Sequence, residues 1–353
     1  MIISTCGFGS TGSSAVADYL LECQNVQAFD AIEFTLTTMV DGLEDLEYHV
    51  MQRNTRCFSS VYAIKRFRLA ILNCCREWKK CTGVKKKDIM KMTDAFINEI
   101  VQVSFIGDSP LIGKNSFWKH YLGYSLFIHR FIFPLEKKGI LKKNHNYYPF
   151  EKIEVSIKPS NFYEASKKYV EGILKLMGCS FDKILVLDQA FSGNDPAKSF
   201  PFFNDPYAIV VDRDPRDLFI FAKEKLLSRG RFMPTDDVNK FITYYKIMRQ
   251  SQPYKNGSAR IMSIHFEDLV YNYEETTEKI DSFLGVKNIK PKSIFNPELS
   301  VANTNLKNRF PQYEKEISII ESELSDYLFD FSKYPEVVGS KKMFFGKSPL
   351  NKQ

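Results

Sequence analysis

The 353-residue sequence contains no uninterrupted apolar run long enough to cross a bilayer, so no membrane span is expected. It also lacks a basic-then-apolar leader: the apolar pair Ile2-Ile3 follows Met1 directly, and a cytoplasmic location is the simplest expectation. Its seven cysteines (Cys6, Cys23, Cys57, Cys74, Cys75, Cys81 and Cys179) are odd in number and include no paired C-x-x-C spacing. That argues against both a disulfide framework and a zinc site, and no metal is expected. There is no internal repeat, no low-complexity tract and no nucleic-acid recognition motif, so no nucleic-acid partner is expected. No feature sets an oligomeric state. What remains is the composition of a globular chain, 44% hydrophobic and 26% charged, able to bury a sizeable core.

The charge is unevenly spread. Residues 51–150 carry 19 Lys and Arg against 6 Asp and Glu, a local net of +13 in a chain whose total is +7, so the rest sums to −6. A concentrated positive field suits an acidic glycan, an anionic lipid surface contacted peripherally, or nucleic acid; solvated helix faces would produce the same count.

The first twenty residues hold the most informative pattern: an apolar strand, then Gly7-Phe8-Gly9-Ser10-Thr11-Gly12-Ser13-Ser14, then a helical run to Leu20. A strand that breaks into a Gly/Ser turn and restarts as a helix directs backbone N–H groups and a positive helix end at one point, which suits phosphate or sulfate. Gly7 and Gly12 match the Gly-x-x-x-x-Gly-Lys-[Ser/Thr] spacing, but Ser13 stands where the lysine belongs, which argues against ordinary triphosphate hydrolysis. Taken alone, the stretch also fits a turn that simply lets a strand and a helix pack closely.

Downstream, Val26–Phe29, 153–157, 183–188, 208–212 and 261–265 read as strands, with helical patterns over 163–177, 218–251 and 274–284. Alternation of this kind predicts the α/β class: a parallel sheet with helices on both faces, in three layers. The pattern from 35 to 139 is mostly helical, and 314–331 reads as a closing amphipathic helix. We expect one domain over 1–340, with a mainly helical basic insertion at 35–150 and a tail at 341–353. The segment AIVVDRDPRDLF (208–219) delivers Arg213 and Arg216 at a strand's C-terminal end, where open α/β sheets bind ligands. An arginine there can take phosphate oxygens in a fork, while Arg216 and Asp217 equally suit a structural pair capping the next helix.

With these segments in order, the chain resembles the sulfotransferases that use 3′-phosphoadenosine 5′-phosphosulfate (PAPS). GFGSTGSSAV resembles their 5′-phosphosulfate loop and VVDRDPRDLF their 3′-phosphate segment. SIHFEDLV followed by 274–285 resembles their Glu-Asp-Leu, helix, Phe-Leu-Gly segment, and SVANTNLK (300–307) their late loop. The resemblance implies a P-loop NTPase-like fold, a PAPS donor with adenosine 3′,5′-bisphosphate as product and no metal, and a donor site of Gly9, Ser10, Thr11, Gly12, Ser13, Ser14, Arg213 and Lys307. It implies a base at Glu33, with Asp30, His120 and His129 as alternatives, and a cation at Lys158 in IKPSNF. The acceptor would be a hydroxyl-bearing molecule, an anionic saccharide or glycolipid, met by the basic insertion and its aromatics (Phe117, Trp118, Tyr121, Tyr124, Phe127, Phe131, Phe133). Two positions depart from the family: Ser10 replaces its usual cation and Phe221 its usual serine. An inert nucleotide-binding module and a P-loop kinase therefore stay open beside the transferase.

Overall fold

The computed structural model describes residues 1–29, 33–53, 55, 57–108, 128–141, 150–226 and 233–334. The expectations for Asp30, His120, Phe117, Trp118, Tyr121, Tyr124, Phe127 and the tail lie outside these residues, as does the side chain of His129. The chain divides into two compact units, one of Met1–Met39, Arg76–Lys85 and Val170–Gln353, the other of Val40–Cys75 and Lys86–Tyr169.

Seven strands are described: β1 (Ile2–Gly7), β2 (Val26–Phe29), β3 (Val103–Asp108), β4 (Phe150–Val155), β5 (Ile184–Asp188), β6 (Pro206–Asp212) and β7 (Ile261–His265). In the first unit five of them form a sheet in the order β2-β5-β1-β6-β7, with every neighbouring pair parallel. Their sequences are continuous apolar runs because both faces are covered. Ile2, Ile3, Ser4 and Thr5 are all buried in β1, as are Ala208, Ile209, Val210 and Val211 in β6. On one face Ile3, Val186, Ile209, Val211 and Ile264 pack with the helices Ser13–Leu20, Phe266–Tyr271 and Tyr273–Leu284. The chain crosses from β5 on one side of β1 to β6 on the other, so the loop after β1 stands where strand order reverses. The sheet is parallel, as the alternation predicts.

The described part of 35–139 is mostly helical, as expected, with one strand the sequence did not show: after the helices Cys57–Thr82 and Lys86–Ile100, β3 pairs antiparallel with β4 in a separate two-stranded sheet. The strand expected at 153–157 thus runs Phe150–Val155 and does not join the parallel sheet. β3 hides in the sequence because Val103, Phe105 and Ile106 are all exposed, so it shows no alternation of buried and solvated positions. Phe96 stacks on Tyr169, with Phe67 against both, as the aromatic core of this unit. The terminal helix is also shorter than expected, Glu314–Glu323, followed by 3-10 turns. No helix of the described residues is long and apolar enough to cross a membrane.

A buried ion pair holds the end of β6. The Arg249 guanidinium, 5% exposed, donates to both Asp212 carboxylate oxygens at 2.6–3.2 Å and lies 3.4 Å over the Tyr245 ring and 4.3 Å from that of Phe8. Removing one partner strands the other charge in a dry site, a loss of about 3–5 kcal/mol. Arg249→Ala should therefore lower the urea midpoint by an amount equivalent to about 3 kcal/mol or more, measured by circular dichroism.

Candidate functional site

The register of the sheet brings its C-terminal ends into one row. Thr5 is opposite Asp188, Gly7 opposite Val211, and Asp212 opposite His265. The loop that leaves this row is left-handed at Gly9 (φ 83°), Ser10 (φ 54°) and Gly12 (φ 102°). Left-handed residues alternating with an ordinary one, as at Ser10, Thr11 and Gly12, turn neighbouring N–H groups to a common side, which makes an anion-binding concavity. Thr11 is buried and its hydroxyl accepts the Phe8 N–H at 3.2 Å, bracing the loop from within. Gly12 caps the helix Ser13–Leu20 without any side-chain acceptor for the first amides. Among the described residues no backbone carbonyl accepts the N–H of Ser13 or Ser14, so the positive end of the helix is open. Side chains are excluded beneath the loop: a Cβ on Gly193 would stand 2.6 Å from the Gly7 carbonyl oxygen.

Arg213 is the first residue after β6. Its guanidinium, 3% exposed, donates to the Ser10 carbonyl at 3.2 Å and to the Asn303 carbonyl, and so joins the first loop to the late loop. The rings of Phe221 and Phe266 lie 4.7 and 5.3 Å from its centre. Phe221 therefore supplies a π-face to the arginine. Three carboxyl groups are close by, yet each is engaged elsewhere. Asp214 binds Arg216 at 2.7 Å, Asp217 accepts the Asn305 and Leu306 amides at 2.8 Å, and Glu267 accepts the Asp214 amide at 3.1 Å. The Arg213 Nε is buried and has no hydrogen-bond partner among the described residues. Burial, opposed by Asp217, Glu267 and Asp214, lowers the pKa of Arg213 without removing its charge. A cation held in this way, without a bonded counter-ion, is suited to an incoming anion.

Arg216 is structural. It pairs with Asp214 and Glu321 and donates to the Phe329 carbonyl at 2.8 Å, and Asp214 also caps its helix. Lys307 belongs to the same ion-pair group, 3.0 Å from Glu321 and 40% exposed. The late loop comprises the turns Val301–Asn303 and Leu306–Arg309. Arg309, which the sequence reading gave no role, holds it by donating to the Ala302 and Thr304 carbonyls at 2.6 and 3.2 Å. Only its proximity in sequence to the late loop would have drawn attention to it.

Two carboxyls stand by the loop on the β5 side. Glu33 is exposed, and partial desolvation, followed by the charge of Glu77, raises its pKa. Asp188 is 6% exposed; burial, followed by the charge of Glu33, pushes it up to about 7. The Phe34 amide donates to the Asp188 carbonyl at 2.9 Å, which fixes Glu33 beside that strand end. Asp188 was visible in sequence only as the last residue of a buried strand. Lys158 lies in the second unit, exposed and left-handed (φ 46°), its amide donating to the Val50 carbonyl at 3.0 Å. Of the predicted site residues the structure thus gathers Gly9–Ser14 with Arg213, and it sets Glu33 beside Asp188, a residue the sequence did not single out. Among the described residues no group of three or more His, Cys, Asp or Glu side chains is placed to hold a metal ion.

No family model and no curated protein sequence matches the chain. Among solved structures, a sulfotransferase domain from the curacin biosynthetic pathway aligns with 83% of this chain and 75% of its own length, at 12% identity and a TM-score of 0.34. The sulfotransferase STF9 from Mycobacterium avium aligns with 94% of this chain and 76% of its own, also at 12% identity and a TM-score of 0.34. Likeness at that level decides nothing about the site.

The loop's shape yields a direct test. A Cβ at Gly12 would be left-handed and 2.6 Å from the Phe266 ring. Gly12→Ala should lose about 2 kcal/mol of stability by thermal unfolding and weaken sulfate protection of the fold, as left-handed backbone alone costs an L-residue about 1–2 kcal/mol.

Proposed function

We propose that the chain is a PAPS-dependent sulfotransferase that moves a sulfuryl group to the hydroxyl of an acceptor, an anionic saccharide or glycolipid. The observation that carries this reading is Arg213, buried beside the Gly9–Ser14 loop with no bonded carboxylate and with its Nε unpartnered among the described residues. The ordered resemblance of the first loop, the Arg213 segment, Glu267-Asp268-Leu269 and the late loop supports it.

The proposed roles follow from the residues. The N–H groups of Gly9, Ser10, Thr11, Gly12, Ser13 and Ser14 would hold the 5′-phosphosulfate, and Arg213, with Lys307 from the late loop, the 3′-phosphate. The donor supplies an activated sulfuryl group whose transfer leaves adenosine 3′,5′-bisphosphate. The chain's contribution to in-line displacement is to align the partners and stabilise charge on the leaving phosphate, with no metal. With Ser10 in place of a cation, that stabilisation falls to the loop amides and the helix end. Glu33 would take the acceptor's proton, and its raised carboxyl pKa brings it nearer the range of a base working close to neutral pH. The exposed lysines Lys85, Lys86, Lys87 and Lys91 favour an anionic acceptor.

Transfer of label from PAPS to a panel of saccharide and glycolipid hydroxyls tests the reading. Arg213→Ala should weaken adenosine 3′,5′-bisphosphate binding by about 1.5–3 kcal/mol in calorimetry, the usual value of a charged hydrogen bond; unchanged affinity removes Arg213 from the site. Glu33→Gln should lower turnover about a hundredfold or more while the nucleotide still binds. Full turnover in that variant places the base elsewhere. Tight nucleotide binding with no transfer to any acceptor favours the inert module instead.

A further inference from the structure

The carboxyl of Asp188 is at an unusual place for a negative charge. The sheet register sets it opposite Thr5, two residues before the loop begins at Gly7. It is 6% exposed, and the Thr5 hydroxyl donates to it at 3.4 Å. The Ser13 hydroxyl, on the first residue of the helix whose open end faces the loop, also acts on Asp188 in favour of its charged form. Gln189, left-handed at φ 55°, donates its side-chain Nε2 to the Ser13 hydroxyl oxygen at 2.9 Å. With that oxygen accepting from Gln189, the Ser13 proton is directed onto Asp188. An anion bound by the Ser13 and Ser14 amides therefore shares its first helical turn with a buried carboxyl.

Hydrogen bonds from Thr5, Ser13 and the Gln189 backbone favour the charged form of Asp188, but none of these groups carries a positive charge. Thr5 from β1 is neutral, and the Cys6 thiol is kept neutral by burial and by Asp188 itself. Ser13 comes from the first helix and Gln189 from the exit of β5, both neutral. Glu33, from the segment after β2, adds a like charge, and Glu77, on the helix Cys57–Thr82, acts on Glu33 in the same sense. A second negative charge entering this corner would be opposed unless a proton enters with it.

We propose that Asp188 is the proton-holding partner of the anion cradle, taking up one proton when a phosphate or sulfate ester enters the Gly9–Ser14 loop and releasing it when the ester leaves. The balance is simple. The carboxylate and a solvent proton become a carboxylic acid, no bond in the ligand changes, and the acid's O–H can donate to the ester where the carboxylate could only accept. Burial and Glu33 already push the group up to about 7, so the exchange falls in the neutral range. The inference rests on the donor reading only for the choice of ligand.

The test is calorimetric titration of the full chain with adenosine 3′,5′-bisphosphate between about pH 6 and about pH 8.5, in pairs of buffers that differ in ionisation enthalpy. The informative arm lies above about pH 7, where the ligand's own phosphates are fully ionised. The wild-type chain should absorb a proton on binding, and its affinity should fall by about three- to tenfold per pH unit above about pH 7. Asp188→Asn, a neutral isostere, should bind without proton uptake and with affinity nearly level across that arm. Glu33→Gln, at an exposed position that should not disturb folding, should shift the uptake midpoint to lower pH by removing the like charge. Binding by the wild-type chain that is level with pH and exchanges no proton overturns the inference and leaves the donor reading intact. Undiminished uptake in folded Asp188→Asn also overturns it. Failure to bind at any pH overturns the donor reading, and the inference falls with it.

Discussion

The site depends on one buried guanidinium that three separate stretches of chain are arranged to leave available. Arg213 emerges from the central sheet, reaches the Ser10 carbonyl in one loop and the Asn303 carbonyl in another, and lies near the rings of Phe221 and Phe266. A charge in such surroundings is costly unless it is compensated, and the usual compensation would be a bonded carboxylate. Asp214, Asp217 and Glu267 are close enough to act on it electrostatically, yet each is engaged in capping or tethering backbone. The compensation is thus diffuse, which holds the cation in place and leaves hydrogen-bonding capacity for a ligand.

This arrangement also explains the architecture around the late loop. Asp217 takes the amides of Asn305 and Leu306, and Arg309 takes the carbonyls of Ala302 and Thr304, so both polarities of a tight, irregular segment are satisfied by side chains. Irregular backbone this well satisfied can present a fixed carbonyl at Asn303 to Arg213. The end of β6 is secured from the other direction by Arg249 on Asp212, which also lies near Phe8 in the first loop. Of the three buried arginines at the exit of this strand, Arg216 and Arg249 are each paired with a carboxylate, and Arg213 has no carboxylate bonded to it among the described residues.

The sequence made the parallel sheet legible because its strands are buried on both sides and read as unbroken apolar runs. It concealed β3, whose apolar side chains face solvent, and it overstated the last helix, where an apolar pattern continues through 3-10 turns after Glu323. In the candidate site, the proximity of the loop and Arg213 was legible because glycine spacing and a charged residue after a buried strand are local signals. Asp188 was not. Its significance arises from Thr5 and Ser13, more than 170 positions away, brought beside it by strand register. Arg309 was hidden for a related reason, since the carbonyls it holds belong to a segment without periodicity.

The contact between Gly193 and Gly7 carries one more consequence. With backbone against backbone at a separation that admits no methyl group, the turn after β5 is a rigid floor under the start of the loop. The floor is continuous with the sheet through Asp188. The two rims therefore differ in kind: one is backbone fixed by strand pairing, the other, the late loop, is irregular backbone tied by the side chains of Asp217 and Arg309.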